Sequence, residues 1–352
     1  MNILALPGDG IGPEITAVAV EVLDRLDKKF HLGVRMERHE VGFASLRRTG
    51  STLPEPVLAA CRAADGFLLG PVSHLDYPPR AQGGLNPSGD LRIALDLYAN
   101  IRPSRCFDGL PHWGRTPMDL VIVRENTEGF YADRNMHQGN GEFMPTPELA
   151  LSVRKISAHA SRRIAQAAFR LARTRRRKVT AVHKANVLKM TEGLFLKEVR
   201  SVAAEHEDVA YEEQLVDSMA ALLVRDAARF DVVVTTNMYG DILSDEAAEL
   251  AGGLGLAGSL NAGERHCMAQ AQHGSAPDIA GKDLANPCSL LLSAAMLLGW
   301  LGDRHGRKNC REAQAALEGV IAEMLRDAST RTRDLGGPLG TRAFGNALVE
   351  RL

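Results

Sequence analysis

The stretch Phe230 to Asp245 (FDVVVTTNMYGDILSD) constrains the fold most. Val232 to Thr236 is an apolar, β-branched run of strand type. Asn237 and Gly240 punctuate it, and a helix start carrying Asp241 and Asp245 follows. Four residues apart on a helix, both carboxylates lie on one face. Two carboxylates at the C-terminal end of a buried strand repel each other unless something positive sits between them. A hard divalent cation, Mg²⁺ or Mn²⁺, meets that need with oxygen ligands. Acidic residues favoured by the helix dipole are the plainer alternative.

The same alternation recurs along the chain. Asn2 to Leu6 reads as a buried strand, followed by the loop Pro7 to Glu14 (PGDGIGPE) and a helix, Ile15 to Leu26. Gly66 to Gly70 reads as another strand. Strands alternating with helices indicate an α/β sheet with crossovers, and 352 residues leave room for two domains. The glycine loop suggests close backbone approach to a ligand, but it lacks the G-x-G-x-x-G spacing. A literal match at Gly253, Gly255 and Gly258 follows a helix, Ala247 to Ala251, where the dinucleotide fingerprint needs a strand.

Other classes lose ground on bulk properties. A formal net charge of −1 gives no global field for nucleic acid or membrane. The basic run Arg173 to Lys178 lacks interleaved aromatics and reads as a solvated helix end. The apolar run Leu290 to Leu301 is shorter than the roughly 20 residues a bilayer span requires; it reads as a buried helix, with a closing helix at Glu312 to Leu325. Five scattered cysteines without a C-x-x-C pair suit a reducing cytoplasm, and the N-terminal apolar stretch is too short for a signal peptide.

Chemistry-bearing residues recur near predicted strand ends. Arg92 and Arg102 flank LRIALDLYANIRP, and Arg124 ends the strand in DLVIVRENTEGFY. Guanidinium groups grip carboxylates in a two-pronged geometry, so three of them favour a small polycarboxylate over separate surface ion pairs. Lys184 follows the strand Val179 to Val182 and is either a general base or a salt-bridge partner. Asp217 is a third acid able to join Asp241 and Asp245. In Gln272 to Pro287, small residues let backbone wrap a ligand, and Asp278 suits a ribose diol, favouring NAD over NADP. Ala132 to Pro147 reads as a loop or an arm of short strands, and Leu149 to Ala172 as one long amphipathic helix.

Taken together, LPGDGIGPE, LDLYANIRP, VRENTEGFY, HKANVLK, FDVVVTTNMYGDILSD and HGSAPDIAGKDLANP resemble the decarboxylating dehydrogenases of isocitrate, homoisocitrate and isopropylmalate. The resemblance covers nearly the whole chain in order. RENTEGFY, HKANVLK and TEGLFL look closer to the homoisocitrate and isocitrate enzymes. The resemblance implies a two-domain α/β fold, not a Rossmann domain, whose first domain is discontinuous. Residues 1–98 plus 252–352 would bind cofactor. Residues 99–251 would carry the dimer contact and the substrate and metal site, with an arm near 132–147. By the same resemblance, Arg92, Arg102 and Arg124 clamp the malate carboxylates, and Asn186 joins the substrate-binding residues. Tyr131 and Lys184 are acid and base. Asp217, Asp241 and Asp245 hold Mg²⁺ or Mn²⁺. His273, Gly274, Ser275, Ala276, Asp278, Ile279 and Asn286 bind NAD. Lys184 and Asp217 would reach into the partner's cleft, so each site would need both chains of a homodimer; the dimers would in some cases pair into tetramers.

Two departures bear on substrate. The family usually has Phe-Glu-Pro-Val ahead of HGSAP, its glutamate near the nicotinamide; here the residues are Ala269, Gln270, Ala271 and Gln272. The segment Leu85 to Asp90 lacks the glutamate and leucine pair that enclose an isopropyl group. Asn86 and Ser88 offer hydrogen bonds to a polar substituent, or form only a tight NPSG turn. The expected activity is NAD- and metal-dependent oxidative decarboxylation of a 3-substituted (R)-malate, isocitrate- or homoisocitrate-like. 3-Isopropylmalate, D-malate and tartrate are the alternatives. A non-catalytic regulatory subunit would have lost metal ligands or the acid–base pair, and none is missing.

Overall fold

In the computed structural model, residues 1–131, 133 and 135–352 are described. Chain contacts divide it into two compact units. The first comprises Met1–Leu97, Phe107–Pro111 and Gly252–Leu352, and the second Tyr98–Cys106 and His112–Ala251.

The first unit opens with β1 (Asn2–Leu6), α1 (Gly12–Phe30), β2 (Arg35–Arg38), α2 (Gly42–Thr49), α3 (Glu55–Ala63), β3 (Gly66–Leu69) and α4 (Pro87–Ala94). The second runs through β4 (Ala99–Arg105), β5 (Asp119–Glu125), β6 (Glu142–Thr146), β7 (Leu149–Ser152), α5 (Ala158–Arg173), β8 (Lys178–His183), α6 (Thr191–Ala204), β9 (Ala210–Leu215), α7 (Val216–Asp226), β10 (Val232–Thr235) and α8 (Asn237–Ala251). The chain then completes the first unit with β11 (Leu260–Ala262), β12 (Cys267–Gln270), α9 (Cys288–His305), α10 (Lys308–Arg326) and α11 (Thr341–Arg351).

Within the first unit the strand order is β2-β1-β3-β12-β11, parallel except for β11. Within the second it is β4-β5-β10-β8-β9, with β4 antiparallel to β5 and the other neighbours parallel. The central strands are apolar throughout because both faces are covered. In the second unit Val232 and Val234 pack with α5 and α6, and Val233 packs on the opposite face with Met219, Leu223 and Leu243. The alternating faces of one strand thus feed two hydrophobic layers.

Three local expectations change. Leu149 to Ala172 is not one helix. Leu149–Ser152 pairs with β6 as an exposed antiparallel ribbon, and α5 begins only after Ser157, whose hydroxyl accepts from Ala160 N at 3.1 Å. Positions 132 and 134 of the expected arm lie outside the described residues. Asn237 and Gly240 do not precede the helix: α8 starts on Asn237, one residue past β10, and contains Gly240. The NPSG segment is the first turn of α4. Asn86 Oδ1 accepts from Gly89 N at 3.2 Å, Pro87 occupies a first-turn position that needs no donor, and Asp90 Oδ2 accepts from Asn86 N at 2.9 Å.

Candidate active site

In the second unit, sheet register brings the site together. Thr235 of β10 lies beside Arg124 of β5, so α8 emerges over the Arg124 side chain. Gly240 permits that approach: a Cβ there would lie 2.6 Å from Arg124 Cβ and Cγ. Arg124, almost wholly buried, donates from Nε and Nη2 to Asn237 Oδ1 at 2.9 and 2.7 Å. Its Nη1 donates to Asp241 Oδ1, and Nη2 also donates to the Tyr131 hydroxyl at 2.6 Å. The Tyr131 hydroxyl in turn donates to Asp241 Oδ2 at 2.5 Å.

Arg102 sits on the neighbouring strand, opposite Ile122, and so on the same sheet face as Arg124. Its Nη1 donates to Ser244 Oγ at 2.8 Å and lies 3.0 Å from Asp245 Oδ1 and 3.2 Å from Asp241 Oδ1. The positive group between the two α8 carboxylates is therefore a guanidinium. Burial, and next the charge of Arg124, push Arg102 down to about 10, against the pull of both aspartates. Two arginines, two carboxylates and a phenol form one hydrogen-bonded network, in which gripping a new anion or cation means exchanging partners.

Lys184 and Asp217 form a separate pair, with Nζ 2.5 Å from Asp217 Oδ1. That bond from Lys184 holds the Asp217 carboxyl below the usual carboxylate range. The fully buried Glu192 anchors the lysine: one oxygen accepts from Lys184 N at 2.8 Å, and the other accepts from Arg154. Asn186 is exposed on the turn beyond β8.

Among the described residues, no group of three or more histidine, cysteine, aspartate or glutamate side chains is placed to hold a metal ion. Asp217 does not join Asp241 and Asp245 within one chain. The two α8 carboxylates fit a hard divalent cation in donor type and already flank a positive charge.

In the first unit, Arg92 lies on α4 and not at a strand end. It donates through Nη2 to Gln270 Oε1 at 3.2 Å, an oxygen that also accepts from Ser88 Oγ at 2.9 Å. Asn86 spends its oxygen on capping α4. The loop after β12 is pinned to the glycine loop after β1. Ser275 O accepts from Ile11 N at 2.8 Å, and the Ser275 and Ser73 hydroxyls are 2.7 Å apart. Gly10 has a φ of 57°, and a Cβ there would stand 1.9 Å from Ser275 O. Ala276 adopts a left-handed φ of 38°, while Gly274 and Asp278 are exposed and Ile279 closes a turn onto Ala276 O. His273 Nε2 is buried with no hydrogen-bond partner, and burial lowers the His273 pKa. An orphaned ring nitrogen beside an exposed, small-residue loop fits an aromatic heterocycle such as adenine. Asn286 is occupied: it donates to Asp334 at 2.9 Å and accepts from Cys288 N at 2.9 Å.

Sequence reasoning missed Asn237, Ser244, Glu192 and Asp334. Asn237 and Ser244 stood inside the segment that drew attention to the aspartates, and their spacing from Asp241 put them on the same helix. Glu192 stood inside TEGLFL with no role given to it, and nothing local marks Asp334, whose partner Asn286 lies 48 positions away.

The basic run after α5 is paired with acids: Arg173 with Asp208, Arg175 and Arg176 with Asp231, and Lys178 with Glu212. Among the described residues no helix is long and apolar enough to cross a membrane.

The profile of the family described as Isocitrate/isopropylmalate dehydrogenase matches residues 2–348. The chain is 40% identical over 337 residues to the 3-isopropylmalate dehydrogenase of Saccharolobus solfataricus, covering 96% of this chain and 95% of that protein. It is also 40% identical over 354 residues to the isocitrate/homoisocitrate dehydrogenase of Thermus thermophilus, covering 100% and 98%. Overall identity therefore does not separate the two substrate classes. The crystal structure of isocitrate dehydrogenase from Methylococcus capsulatus aligns with a TM-score of 0.87 at 38% identity, covering 99% of this chain and 98% of that one. Nearly full-length matches of sequence and fold agree: the chain belongs to the isocitrate/isopropylmalate dehydrogenase family.

Proposed function

We propose that the protein oxidises and decarboxylates a 3-substituted (R)-malate, isocitrate- or homoisocitrate-like, to a 2-oxo acid and CO₂ with reduction of NAD. The observation that carries this reading is the network of Arg102, Arg124, Tyr131, Asp241 and Asp245. When bound, NAD supplies the hydride acceptor, and a divalent ion held by Asp241 and Asp245 supplies Lewis-acid polarisation. Arg102 and Arg124 bind the substrate carboxylates and orient the hydroxyl-bearing carbon. Lys184 takes the hydroxyl proton as C2 becomes a ketone, and Asp217 holds its Nζ in place. The C3 carboxylate is then β to that ketone, so its C–C bond breaks to release CO₂ and leaves an enolate. Tyr131 delivers a proton to C3 and regains one from solvent.

The reading includes a homodimer with shared sites. Phe143, Met144, Leu149 and Leu151 of the β6–β7 ribbon are exposed, as are Val187, Met190 and Ile242 near the candidate residues. An apolar surface of that kind favours covering by a second copy. Lys184 and Asp217 would then meet Asp241 and Asp245 from the other chain. A reducing cytoplasm suits the five free cysteines.

A panel of isocitrate, homoisocitrate, 3-isopropylmalate, D-malate and tartrate, each with NAD or NADP, tests the reading. The expected result is NAD reduction that a chelator abolishes and Mg²⁺ or Mn²⁺ restores. Absence of turnover with every acid, or turnover indifferent to chelation, would overturn it.

A further inference from the structure

Gln270 ends β12, largely buried, and its side-chain oxygen is shared by Ser88 Oγ at 2.9 Å and Arg92 Nη2 at 3.2 Å. A guanidinium can only donate, so the amide must face Arg92 with its oxygen. Its NH₂ group is consequently turned the other way, as a donor. Ser88 spends its single proton on the same oxygen and keeps its lone pairs. Gln270 therefore fixes both neighbours while bringing no charge to Arg92. A carboxylate in its place would ion-pair with the guanidinium and replace the amide donor with an acceptor.

We propose that Gln270 determines substrate specificity, selecting a malate whose 3-substituent carries an oxygen acceptor, carboxylate or hydroxyl, over one with a branched alkyl group. This rests on the reading of Arg92 as a substrate-binding residue. An acceptor oxygen is matched by Arg92 and by the amide donor. An isopropyl group offers neither Arg92 nor the amide donor an acceptor, and sites built to hydrogen-bond a substrate reject analogues that lack the group.

The test uses the full-length protein with Mn²⁺ and NAD. Wild type, Gln270→Glu and Gln270→Met are compared on isocitrate, tartrate, 3-isopropylmalate and D-malate. Wild type is expected to favour isocitrate or tartrate over 3-isopropylmalate by about tenfold or more in kcat/KM. The better of the two identifies the substituent as carboxylate or hydroxyl. Gln270→Glu should lose about tenfold on that substrate, mainly through KM, with the KM for NAD unchanged. Gln270→Met should narrow the gap to 3-isopropylmalate. A wild-type preference for 3-isopropylmalate overturns the proposal. So does an equal loss on all four acids, or a raised KM for NAD, because either places Gln270 with the cofactor or the fold. If wild type turns over none of them, the proposed activity fails separately, and thermal shift with the same acids decides this inference. Stabilisation by isocitrate or tartrate that Gln270→Glu abolishes upholds it; none in wild type overturns it.

Discussion

One carboxylate, Asp241, serves Arg102, Arg124 and the Tyr131 hydroxyl. Asp241→Asn keeps the volume but leaves two buried guanidiniums short of negative charge. The expected cost is about 3 kcal/mol of stability, read as a lowered midpoint in urea melts, together with loss of turnover. Tyr131→Phe removes only the phenolic oxygen. Turnover should fall about a hundredfold or more while the KM for NAD stays put, as steady-state kinetics would show; unchanged turnover would remove Tyr131 from the chemistry. Four-residue spacing alone put Asp241 and Asp245 on one face. That the cation between them is Arg102 could not be read locally, because it arrives from another strand 143 positions from Asp245. Lys184 and Asp217, 33 positions apart, are hidden for the same reason.

Among the elements, α8 and the loop after β12 depend on glycines for close approach. Gly240→Ala forces α8 off Arg124, an overpacking cost of about 1–3 kcal/mol. Substrate KM should rise with it, and a variant matching wild type in both melt and KM would contradict the packing account. Gly10→Ala adds left-handed strain to a clash with Ser275 O. It should raise the KM for NAD more than that for substrate, since it displaces the loop of His273 and Ser275. Most strands were legible because their apolar runs are buried on both faces. The exception is instructive: Leu149, Ala150 and Leu151 are exposed, so their apolar character reports no core and was absorbed into the helix behind them. Only the Ser157 cap marks where that helix begins.

For the whole molecule, three histidines oppose charging in the folded state. Burial lowers the pKa of His183, His266 and His273 below the ordinary value of 6.5. Above that value, neutral in both states, they contribute nothing. As pH falls from there toward their lowered values, the unfolded chain takes up protons the folded chain refuses, and stability declines. Thermal melts at stepped pH should show the midpoint dropping below about pH 6.5; a flat profile down to pH 5 would contradict this. The proposed homodimer with shared sites makes a second prediction. Lys184→Ala and Asp245→Asn, each inactive alone, should on co-expression recover about a quarter of wild-type activity. Half of randomly formed dimers are mixed, and each of those keeps one intact site of two. Activity remaining at baseline would place all the residues of a site in one chain. The insertion of β12 beside β3 governs the order of assembly during synthesis. Phe67 waits for Met268, so the first sheet stays open at that edge while the ribosome completes the intervening strands. The middle unit, broken only at Phe107–Pro111, can fold as it emerges, whereas β3, made early and paired on one side by β1, gains its second neighbour only when β12 is made.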